Sequence, residues 1–330
     1  MIDHSSAQEL IKRLENPLPI KEAEEVEAGL KAMWTQQLTK GLKATEVPQF
    51  IQFFAEVGFI AKYKSYGVKY AAPFGYSLFV LDDGKGFSVQ IHEESKVEAF
   101  HILEPAANSF MLLGKFEAWE EHGPNFIQSW TKRNPTENPM VSHISQGDVA
   151  IISSLNVVHT VIGGVLEEYA TTSNDAVTRL YDQNAGHETA LPEEVIGVAE
   201  VLDEVDDLEP KRVLHDSGYS WGSFELERPR QIVNLPDAGL QGHHLLVDKG
   251  TPATLEVDEF QICTLVAMRG DITVSLDDIQ IALPTGTTTA IPPGTRVSLT
   301  NRSVYDQARV AVCKVSKDIA ISDLRNIGAS

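Results

Sequence analysis

GDVAIISSLNVVHTVIGGVLEEYATT (residues 147–172) reads as two apolar strand runs, DVAIISS and HTVIGGVLEEYATT, with Leu155-Asn156 in the break between them. Val and Ile dominate both runs, and β-branched side chains suit a pleated, half-buried surface. Runs of the same texture surround this stretch: YSLFVLDD (76–83), GFSVQIHEE (86–94), FMLLGKFEAWEE (110–121) and AVTRLYD (176–182). Gly, Asn, Pro and Asp punctuate them as turn formers do. Many short strands separated by turns predict a sandwich or barrel, of which the jelly roll is one closure.

The flanking sequence changes texture. Ser6-Ala7-Gln8-Glu9 forms a capping box ahead of Leu10, Ile11 and Leu14, and Pro17 stops that helix. A second helix is predicted over 21–40, ended by Gly41. A third starts at Thr45, accepts Pro48 in its first turn and ends near Gly58, with Phe50, Ile51, Phe53, Phe54 and Val57 as its buried face. Past the first β region, LPEEVIGVAEVLDEV (191–205) is helical in period, and the last hundred residues return to β texture. The expected organisation is a helical segment at 1–61, a β domain at 62–190, a helical connection at 191–220 and a second β domain at 221–330.

With 330 residues, 42% hydrophobic and 22% charged, the chain has the composition of a globular protein with room for two cores. No apolar run is long enough to span a membrane, and the first residues lack a signal-peptide core, so a cytoplasmic location is expected. Cys263 and Cys313 lie in apolar runs and read as buried free thiols. A formal net charge of −20 repels nucleic acid and anionic membranes. An anionic substrate therefore needs a local basic pocket, for which Lys115, Arg179 and Lys85 are candidates.

Four residues in strand-like segments of the first β region form a plausible shell for one divalent ion: Gln90, His92, Glu117 and His159. Imidazole suits zinc, iron, nickel or copper, and carboxylate and amide oxygens complete a mixed N/O site. Buried Glu and Gln inside a small barrel are costly unless paired or coordinated. Lys115 precedes Glu117 by two and would share its strand face. His101 and His122 are alternative ligands.

FSVQIHEE (87–94), GKFEAW (114–119), GDVAIISSLNVVHTV (147–161) and SNDAVTRLYD (173–182) stand in the order of motifs that resemble the type I phosphomannose isomerases, zinc enzymes of the cupin superfamily. Glu93 stands where that family has Pro, and Ser154-Leu155-Asn156 replaces its Pro-Ala-Gly. The resemblance implies two cupin barrels and assigns zinc to Gln90, His92, Glu117 and His159. Lys115, Arg179 and Asp175 match the family's catalytic and substrate-contacting positions. It also implies a second, metal-free barrel, because Val297 and Ser298 stand where a ligand His would follow PPG, and only His243 and His244 lie nearby.

The function implied is aldose–ketose isomerisation of a phosphorylated sugar through a cis-enediol. Lys115 would move the proton, and Arg179 would hold enediolate or phosphate charge. The same shell also suits an Fe(II) cupin oxygenase or a non-catalytic metabolite-binding bicupin.

Overall fold

The structure, a computed structural model, describes residues 37–62, 66–92, 96–131, 138–153, 155–172, 177–182, 197–205, 209–215 and 230–326, together with Glu25, Ala28 and Gly29. Most of the first two expected helices lies outside these residues, as does Asp175. The molecule is mainly β. The third expected helix runs Val47–Val57, with Pro48 in its first turn and Gly58 at its C-cap. A short helix, Val198–Asp203, falls in the expected connection.

The first β unit is built around one strand, Val157–Ala170. Its sheet runs Ile60–Ala61, Gly67–Ala71, Tyr76–Gly86, Val157–Ala170, Glu98–Glu104, Asp148–Ile152 and Arg212–His215. Val89–His92 and Phe110–Lys115 also pair with the Val157–Ala170 strand. Val177–Tyr181 pairs in turn with Val89–His92. The second unit stacks a five-stranded sheet and a four-stranded sheet, all antiparallel. Neither unit closes into a barrel among the described residues: the strand orders run as open paths. The expected pair of barrels is thus met by two open β units.

The alternation of side chains explains how the units join. Tyr76, Leu78, Ala99 and Tyr169 leave one face of the first sheet and enter a buried cluster with Ile262, Cys263 and Leu265 of the second unit. Phe79, Phe100 and Leu166 leave the opposite face and form a separate cluster. Gly242 lies against Tyr169: a Cβ there would meet the ring at 2.4 Å, so a side chain would push the units apart. A buried hydrogen bond crosses the junction, from Thr264 Oγ1 to the Phe74 carbonyl (2.6 Å), and another, from Thr289 Oγ1 to the Ile51 carbonyl (2.7 Å), ties the second unit to the helix Val47–Val57. The second unit therefore covers a face of the first sheet.

Both cysteines are free and buried on adjacent strands of this core. Burial pushes the Cys263 thiol up to about 12 and raises Cys313 well above its ordinary range.

Candidate metal centre

The sequence places three of the expected donors on neighbouring strands. Gln90 stands opposite His159 in the pairing of Val89–His92 with Val157–Ala170. His92 ends the shorter strand, two residues beyond Gln90. Alternation turns Gln90 and His92 the same way. The two imidazoles stack with ring centroids 4.8 Å apart.

The carboxylate between them is Glu98. Its Oε1 lies 3.0 Å from His92 Nε2 and 3.0 Å from His159 Nε2. All three residues are buried. Gln90 reaches to within 3.4 Å of His159 Nε2 and accepts a hydrogen bond from Ser88 Oγ. His159 Nδ1 is 3.1 Å from the Val157 carbonyl, which orients the ring so that Nε2 faces Glu98. Donors bonded to one ion at ~2.0–2.1 Å in a tetrahedron lie ~3.3 Å apart, so the 3.0 Å separations fit such an ion with a small expansion.

A lysine enters the same cluster. Lys96 Nζ pairs with Glu98 Oε2 at 2.7 Å and donates to Glu168 Oε1 at 2.8 Å. Lys69 Nζ stands 3.9 Å from Glu168 Oε2 and 5.1 Å from the centre of the Phe79 ring. Burial alone would raise the Glu98 carboxyl; Lys96, His92 and His159 outweigh it and hold the carboxyl well below the usual range. A pocket opens above these groups, lined by Lys69, Ser88, Gln90, Lys96, Glu168 and Arg179 among others. Arg179 pairs in register with Gln90 and carries an ion pair to Asp182 at 3.6 Å.

Glu117 and Lys115 stand differently from their expected places. The strand ends at Lys115, and Phe116 opens the helix Phe116–Thr131. That helix buries Ala118, Trp119 and Phe126, which turns Glu117 outward in the first turn, where a carboxylate favours the helix N-terminus. Glu117 is exposed and does not share a strand face with Lys115. Lys115 is exposed and pairs in register with Val157, two residues before His159. Neither residue lines the pocket.

Sequence reasoning missed Lys96, Glu98 and Glu168. The signal was present: KVEAFHILE (96–104) and VLEEYA (165–170) put charges inside otherwise apolar strands. Glu168 is nine residues from His159, an odd spacing that would send the two to opposite faces of a regular strand. Gly163 and Gly164 take positive φ (69° and 102°), and the register with both flanking strands slips beside them. That slip turns Glu168 to the side of Lys96 and Glu98.

No family model matches the chain, and no curated protein matches it. Solved structures do overlap it. The mannose 6-phosphate isomerase of Bacillus subtilis is 15% identical, over 72% of this chain and 74% of that one, with a TM-score of 0.46. A mutant phosphomannose isomerase of Salmonella typhimurium is 13% identical, over 74% of this chain and 80% of that one, with a TM-score of 0.44. Overlaps of this size say nothing of the site.

Proposed function

We propose that the first β unit is a metal-dependent aldose–ketose isomerase acting on a phosphorylated sugar. The reading rests on one observation: a buried His92–Glu98–His159 donor cluster lies beneath a pocket whose lining includes Lys69, Lys96 and Arg179. The donor set suits zinc, with Gln90 as a fourth ligand once its amide is turned to present the oxygen that now accepts from Ser88. A divalent ion there would polarise the substrate's carbonyl and adjacent hydroxyl oxygens.

The chain's own groups supply the proton chemistry. A base removes the proton from the carbon beside the carbonyl, the hydroxyl proton passes to the former carbonyl oxygen, and the base returns its proton to the neighbouring carbon. Glu168 is the base that the geometry favours, because its carboxylate lines the pocket and Lys96 fixes its orientation. Lys115 is the base that the motif resemblance implies. Arg179 and Lys69 at the pocket supply positive charge for a phosphate in a chain whose net charge is −20. Asp175 keeps the substrate-contacting role that the resemblance gives it.

The test is exchange of the C2 proton of mannose 6-phosphate and related sugar phosphates with solvent, using metal-replete protein. Exchange and interconversion support the reading; no exchange with any aldose or ketose phosphate overturns it. A second reading, an Fe(II) oxygenase, is favoured by the two-His-one-carboxylate composition of the cluster. Substrate-stimulated oxygen consumption by the iron-loaded protein would select it.

A further inference from the structure

The opposite face of the same sheet carries a second cluster of the same composition, at the junction of the two units. His101 stands opposite Glu167 in register, and His244 comes from the strand Leu240–Asp248 of the second unit. Glu167 Oε1 lies 2.7 Å from His101 Nδ1 and 2.6 Å from His244 Nε2. The other carboxylate oxygen accepts a hydrogen bond from the Tyr76 hydroxyl at 2.8 Å. All three residues of the cluster are buried. The Tyr169 hydroxyl, buried close to Glu167, makes no hydrogen bond of normal geometry.

The donor atoms of this cluster converge inside the protein. Among the described residues the ion-pair partners of Glu167 are the two imidazoles. Enclosing a carboxylate is unfavourable unless a cationic partner or a coordinated ion completes it. The nitrogens on the far sides of the rings, His101 Nε2 and His244 Nδ1, have no hydrogen-bond partner. Coordination would require the ring protons to move to these nitrogens, freeing Nδ1 of His101 and Nε2 of His244 as lone-pair donors.

We propose that His101, Glu167 and His244 form a second divalent-metal site that fastens the two β units together. Tyr76 would fix the carboxylate from behind as a supporting partner, and the Tyr169 hydroxyl offers a further oxygen. The present separations are of hydrogen-bond length. Tetrahedral coordination at ~2.0–2.1 Å would spread the donors to ~3.3 Å, an opening of about 0.6 Å. Two ligands come from the first unit and one from the second, so the ion would lie between the units and outside the interior of either. This site takes no part in the proposed turnover.

The experiment counts ions on the full chain, stripped by chelator and reloaded with zinc, by elemental analysis after dialysis. Wild type should hold two per chain, His244→Ala one and His92→Ala one. Cobalt(II) added to His92→Ala should give the visible absorption of a tetrahedral N/O site, and His244→Gln in that background should abolish it. Zinc should also raise the Tm of His92→Ala and leave that of the double variant unchanged. If His92→Ala is unstable, Glu98→Gln replaces it as the background that disables the first cluster. A folded first-cluster variant with no zinc and no cobalt spectrum overturns the proposal and leaves the cluster a hydrogen-bonded junction only. Sugar-phosphate exchange is read separately, so its failure does not bear on this result.

Discussion

His159 and Glu168 lie nine residues apart on one strand and both meet the Lys96–Glu98 pair, His159 through Glu98 and Glu168 through Lys96. The slip at Gly163–Gly164 makes this possible. Gly164 has a φ of 102°, and a Cβ on it would meet the Glu104 carbonyl oxygen at 2.4 Å. Gly164→Ala is therefore expected to lose about 1–3 kcal/mol of stability from the strained backbone. Urea denaturation measures the loss, and metal content should fall with it as the strand leaves its register.

Glu98 and Glu117 make opposite predictions for metal content. Glu98→Gln should abolish zinc binding at the first cluster, whereas Glu117→Gln should leave it unchanged, because Glu117 is exposed on a helix. Elemental analysis in a His244→Ala background reads the first cluster alone. Zinc lost from the Glu117 variant and kept by the Glu98 variant would restore the ligand set implied by the motif order.

Lys96 is buried between two carboxylates. Lys96→Met leaves Glu98 and Glu168 without their shared cation, and breaking a buried ion pair on one side costs about 3–5 kcal/mol. Lys96→Met combined with Glu168→Gln should recover part of that loss. Equal stability of the single and double variants would mean that Lys96 does not neutralise the pair.

The identity of the base is read from rates. Glu168→Gln should lower sugar-phosphate exchange by about 10²–10⁴-fold if Glu168 transfers the proton. Lys115→Met should then leave exchange within a few-fold of wild type. The reverse order of effects would return the role to Lys115.

The thiols give a readout of core integrity. Cys263 and Cys313 are buried with raised pKa values, so little thiolate forms at pH 8. A thiol-specific chromogenic reagent should find neither in the native protein and both in guanidinium. Rapid reaction of either thiol in native protein would show that the junction opens.

Much of the fold was legible from local patterns. The helix Val47–Val57 followed from Pro48, the aromatic stripe and Gly58. Gln90, His92 and His159 were expected together because histidines and an amide stand in apolar strands in the order of the family motifs, and the structure brings the three side by side. Glu98 was passed over because GKFEAW offered a carboxylate in the expected order, and no local signal showed that the strand would stop at Lys115. The helix there is selected by Ala118, Trp119 and Phe126 packing against strands distant in sequence. Glu168 was hidden by the phase slip, which regular alternation does not anticipate. The pairing of His101 with His244 depends on how the two units dock, which neither segment encodes alone.

The apolar cluster that runs from Tyr76 and Tyr169 through Ile262 and Leu265 has a consequence for how the molecule is made and lost. Neither half can shed the other without wetting its own interior. During synthesis the sheet face that carries Tyr76 and Tyr169 therefore stays uncovered until the C-terminal strands have been made. Once assembled, the chain should melt in one cooperative step, and a protease cut between the halves should release no independently folded fragment.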